Sequence, residues 1–196
     1  EEAHHIRKAM PESVIFPYPK NPVRIEIYSR NKKGVFEKKF SQNIEPDNCH
    51  IRPFAPLYET FEVAYNGPAD HRVDLVLIPE GYAADEKEKF TEACRHFVKE
   101  FFSYSPYKEL ATRFNIRAVW APSRESGVTL PGEHVWRNTV ADARFYTFDS
   151  ERYQMIEDFQ RLRDIAAHVP YEHIYVLSNT QKYGGGGIYN FYGISA

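Results

Sequence analysis

Three short runs of this chain are apolar almost without a break: VDLVLIP at 73–79, FNIRAVWAP at 114–122 and HIYVLSN at 173–179. A strand with one wet face alternates apolar and polar residues, so continuous runs of this length read as strands buried on both faces. Between the first two runs, Phe90, Ala93, Cys94, Phe97, Val98 and Phe101 recur at helical spacing behind an acidic first turn. Between the second and third, Tyr153, Ile156, Phe159, Leu162 and Ala166 do the same. These periods predict helices over 84–103 and 151–168, with the three runs as neighbouring strands of one parallel or mixed sheet. The order strand, helix, strand, long connection, helix, strand is that of an α/β layer. The closing GGIYNFYGIS reads as a fourth, short strand at an edge.

The first third of the chain has a different texture. Residues 1–10 read as a polar helical tail. Val23, Ile25 and Ile27 then alternate with Arg24, Glu26 and Tyr28, RNKKG makes a turn, and VFEKKF returns. A further short strand lies in FEVAYNGPADH, so residues 11–65 supply a few β-strands, too few to close a stable sheet alone. The expected division is a β-sandwich-like N-terminal part with linker over 1–68 and an α/β domain over 69–196. The chain opens on Glu1 with no signal peptide, as if cut from something longer.

Composition narrows the function classes. Twenty-five basic and 27 acidic residues give a net charge of −2, which makes no electrostatic case for nucleic acid. No apolar run approaches the ~18 residues of a membrane helix, so no transmembrane segment is expected. Cys49 and Cys94 are too far apart in sequence for a disulfide framework or zinc knuckle and are expected to be free and at least partly buried.

Candidate chemistry is sparse. Eight histidines are scattered: His4 and His5 in the tail, His134 beside Glu133, His168 and His173 around Pro170, and His50, His71 and His96 isolated. None stands in His-Glu-x-x-His or a zinc-finger pattern, so no catalytic or metal-ligating residue is assigned. Glu80 and Glu125 follow the first two buried strands, where open α/β sheets place their sites. They could converge above the sheet; the plainer expectation is that they bind backbone N–H groups of the loops. Asp74, inside an apolar run, is expected to cap or pair near the strand start. Ser126 has Arg124 where a nucleophile elbow needs glycine.

The glycine run Gly184–Gly187 lacks the spacing of nucleotide-binding loops. A flexible loop accounts for it; so does a strand whose backbone something must approach closely.

Taken together, HRVDLVLIPEGY, PYKELATRFNIRAVWAPSRESGV, VPYEHIYVLSNT and YGGGGIYN resemble the bacterial IgA-peptidase family of secreted zinc metallopeptidases. VIFPYPKNPVRIEIY resembles the end of that family's N-terminal β domain. The resemblance implies a zincin-like mixed sheet and a polypeptide substrate. It also implies secretion or a cell-envelope location, in the periplasm or at the outer surface. Zinc in such enzymes is held by a His-Glu-x-x-His helix that follows the glycine-rich strand. This chain is then a fragment ending before that helix. It is expected to bind no zinc itself and to need the remainder of the catalytic domain as partner. Gly185, Gly186, Gly187, Ile188 and Tyr189 would form the substrate-binding edge strand. The alternative is a non-enzymatic module that binds peptides on the same edge, or a hydrolase-like enzyme using Glu80, Glu125 or Ser126.

Overall fold

A computed structural model describes residues 14–51 and 55–196. The tail at 1–10, with His4 and His5, lies outside the described residues. Two compact units are present, Val14–Ala55 and Pro56–Ala196.

In the first unit, β1 (Val23–Arg30) pairs antiparallel with β2 (Phe36–Ile44). The turn between them is built by Asn31, whose side-chain oxygen accepts the N–H groups of Lys33 and Val35 at 2.9 and 3.0 Å. Gly34 supplies the positive φ of 78° that closes it. The returning strand runs on to Ile44, well past VFEKKF.

The second unit is built on a six-stranded sheet. Its elements are β3 (Glu59–Ala64), β4 (Val73–Glu80), α1 (Lys87–Phe101), β5 (Phe114–Trp120), β6 (Ala143–Arg144), β7 (Met155–Ile156), α2 (Phe159–Ala166), β8 (His173–Ser178), β9 (Gly185–Ile188) and β10 (Tyr192–Ser195). The sheet order is β3-β5-β4-β8-β10-β9. The three apolar runs are indeed neighbours, with β4 parallel to both β5 and β8. Alternation along β4 explains its unbroken apolar character. Leu75 and Leu77 pack with Phe90 and Cys94 of α1, whereas Val76 and Ile78 pack with Leu162, Ile165 and Ala166 of α2. One helix covers each face, so neither set of side chains meets water. The connections from β4 and into β8 thus run in opposite directions, which opens a crevice at the carboxyl ends of these two strands.

Four expectations need correction. The strand at 59–64, grouped by sequence with the N-terminal β segment, pairs antiparallel with β5 at the margin of the main sheet. The second helix begins at Phe159, not 151. The N–H groups of Gln154, Ile156 and Glu157 go instead to Gly185 O, Tyr192 Oη and Asp142 O, and β7 pairs with β6. Backbone donors committed to tertiary partners cannot bond within a helix, and Asp158 caps the true start by accepting the Arg161 N–H at 2.9 Å. The closing segment is a hairpin of two strands, β9 and β10, rather than one. Cys94 is buried, with burial pushing its thiol pKa up, but Cys49 is exposed.

Candidate functional site

Among the described residues β9 is the last strand of the sheet, paired on one side to β10. A three-residue turn, Tyr189–Phe191, joins the two, with Asn190 left-handed at φ 57° and the Phe191 N–H on Ile188 O at 3.0 Å. The Gly184 carbonyl accepts from Ala196 on the β10 side. The N–H and C=O of Gly185 point the other way, to Arg152 O at 3.0 Å and Gln154 N at 3.2 Å. Backbone groups alternate along an antiparallel strand. Gly186 therefore faces β10, and the groups of Gly187 face outward, past the end of the 152–154 segment.

Two features of this geometry bear on the expected edge strand. The outward groups of Gly185 are already bonded within the chain, so the free edge begins at Gly187. Moreover, the glycines are required by the chain itself. A Cβ on Gly184 would lie 2.4 Å from Arg152 O, on Gly185 2.4 Å from Ile194 O, on Gly186 2.4 Å from Gln154 O, and on Gly187 2.6 Å from Tyr192 O. Backbone from β10 on one side and from residues 152–154 on the other leaves no room for a methyl group. A merely flexible loop would show no such contacts.

Exposed aromatics flank this edge. Tyr189 is 92% and Tyr183 is 82% exposed, and Phe148 meets Tyr153 edge-on at 6.2 Å. Tyr146, Phe148 and Asp149 all have positive φ, strained for residues with side chains. Lys182 bonds Glu133 at 3.1 Å and Glu151 at 2.9 Å, tying this loop to the approach of β9.

The acidic candidates serve as anchors. Glu80 ends β4, fully buried, and accepts the N–H groups of Ala141 and Ala143, each at 2.9 Å. Burial pushes its carboxyl pKa up. Glu125 accepts the Asn138 N–H at 2.6 Å. The two carboxylates thus hold successive parts of one loop. Asp74 pairs with Arg117 and accepts from Asn115 Nδ2 at 3.0 Å. Ser126 accepts from Asn179 Nδ2 at 3.2 Å. Asn179 was not singled out by sequence, yet it is a buried hub at the β4–β8 crevice, donating also to Gly81 O at 2.8 Å and to Glu86. Burial of Glu86 opposes its charge, but bonds from the Ala83 N–H, Ser126, Asn179 and Lys89 outweigh it and hold the pKa at about 2. The only sequence signal for Asn179 was its place just past a buried strand.

Among the described residues, no three His, Cys, Asp or Glu side chains gather to hold a metal. Among the same described residues, no helix is long and apolar enough to cross a membrane. A family model described as IgA Peptidase M64 matches residues 61–196, and one described as Peptidase M64 N-terminus matches residues 1–41. No curated protein matches the chain.

Proposed function

This chain belongs to the IgA peptidase M64 family, a family of metallopeptidases, and from that premise we propose that it supplies the sheet and substrate-binding edge of a zinc-dependent peptidase. In this reading the zinc is held away from the sheet and its edge strand, and the enzyme acts outside the cytoplasm on extracellular proteins. The peptide lies in extended form along β9. One observation carries this reading: the outward N–H and C=O of Gly187 end the sheet unpaired by β10, beside a segment that has already filled the same positions at Gly185. A peptide strand would continue that pairing, exchanging two main-chain bonds with Gly187. Ile188, Tyr189 and Tyr153 border the path of its side chains.

The test leaves the protein untouched. In the full-length protein, with zinc content measured, a cleaved peptide is N-methylated one residue at a time. The residue facing Gly187 donates its N–H to the edge, and its neighbours do not. Methylation there should lower kcat/KM roughly tenfold, the worth of one hydrogen bond at the upper end of the usual range. Adjacent positions should be spared. Uniform tolerance along the peptide refutes the edge-strand reading. The same alternation in Kd with no cleavage, in protein that takes up no zinc even when zinc is added, favours the non-enzymatic peptide-binding module instead.

A further inference from the structure

A second site lies away from β9. The loop 125–144 and the start of α2 enclose a cleft of about 590 Å³. Trp136 lines it, 65% exposed, and an indole at a cleft can cover the apolar face of a ligand while its N–H stays available for a hydrogen bond. Arg137, Arg144 and Arg161 bring guanidinium groups to the cleft, and Glu125, Asp142, Glu157 and Asp158 bring carboxylates. Arg144 is paired with Glu157 at 2.9 Å and Arg161 with Asp158 at 3.3 Å. Among the described residues, no hydrogen bond or ion pair occupies the side chains of Arg137, Asn138 or Asp142. Donors and acceptors therefore stand ready side by side.

Asp142 is built into this wall at a cost. Its φ is 53°, a strained left-handed conformation. The residues on either side of it, Ala141 and Ala143, both give their N–H groups to the buried Glu80 carboxylate. Glu80 thereby holds Asp142 in place from beneath. Burying a carboxylate is expensive, and here it fixes the backbone of one cleft residue.

The geometry points to a binding site for a neutral carbohydrate, with the sugar's C–H face on the Trp136 indole and its hydroxyls between Arg137, Asn138 and Asp142. A small anion would face four carboxylates, and a small cation three guanidinium groups. A sugar hydroxyl both donates and accepts, so it uses a carboxylate and a guanidinium or amide at once. A peptide that adds as a β-strand needs a free strand edge. The one strand contributing to the wall, β6, is paired with β7 on one side and bridged from Arg144 to Thr129 on the other.

Saturation-transfer NMR on the full-length protein tests this with galactose, N-acetylglucosamine, N-acetylgalactosamine and mannose, each free and attached to a short peptide. Tetraglycine and sialic acid serve as peptide and anionic probes. At least one neutral sugar should show saturation, strongest on one ring face. Trp136→Ala and Asp142→Asn should each weaken its binding about tenfold, the loss of about 1.4 kcal/mol. Asn tolerates the left-handed backbone, so Asp142→Asn keeps the test open should Trp136→Ala fail to fold. A signal only from the peptide-attached sugar identifies a glycan on a protein as the source; equal signals identify free sugar. No signal from any neutral sugar at millimolar concentration overturns the proposal. So do signals unchanged in both variants, or a response to tetraglycine or sialic acid alone.

Discussion

Adding one methyl group to the glycine run separates its three readings. In Gly186→Ala the new Cβ lies 2.4 Å from Gln154 O and 2.7 Å from Met155 Sδ, against an ordinary contact of 3.4 Å or more. Something must move by about an ångström. Gln154 cannot yield easily: it is fully buried, its N–H is on Gly185 O, and its side-chain amide donates to Ser178 Oγ at 2.8 Å. Overpacking of this kind costs about 1–3 kcal/mol. For a domain of this size each kcal/mol moves the melting temperature about 2–4 °C, so Gly186→Ala should melt roughly 2–12 °C lower. Gly184→Ala, whose Cβ meets Arg152 O at 2.4 Å and the Phe145 ring at 2.5 Å, should behave alike. The assay is thermal unfolding of the full-length protein followed by circular dichroism, with kcat/KM alongside. A flexible loop would absorb both changes within about 0.5 kcal/mol. Glycines kept only for an incoming substrate would lose turnover and not stability. Melting within about 1 °C of the parent in both variants refutes the packing argument.

Two further outcomes are expected. Glu86 has its carboxyl lowered from 4.5 to about 2 in the folded state, so its contribution to stability is present above the unfolded value and lost as pH falls through that window; in urea unfolding, Glu86→Gln should be less stable than the parent at pH 7, with the gap closing between about pH 4.5 and 2, and a constant gap would contradict this. Asp74→Ala leaves the Arg117 guanidinium, itself only 12% exposed, with the more exposed Glu62 at 4.0 Å in place of its close partner, and should cost about 3 kcal/mol by denaturant unfolding, whereas a cost under about 1 kcal/mol would show that the Asp74 pair carries little.

The sequence by itself determined the centre of the sheet. VDLVLIP, FNIRAVWAP and HIYVLSN are apolar on both faces because α1 and α2 cover both, and that demand is written locally, residue by residue. The first helix was legible for the same reason: its buried stripe is a property of the helix alone. Tertiary structure decided what depended on distant backbone. The apolar spacing over 151–168 suits a helix, yet Gln154, Ile156 and Glu157 give their N–H groups to Gly185, Tyr192 and Asp142, and helix geometry forfeits those donors. The strand at 59–64 looks like its N-terminal neighbours, but only pairing with β5 assigns it to the main sheet. Glu80 sits where a catalytic acid could stand; its role was settled by two N–H groups some sixty residues further along the chain. The glycine run announced close approach without saying by what. The answer lies in carbonyl oxygens of Arg152, Gln154, Tyr192 and Ile194, brought beside it only when the chain has folded.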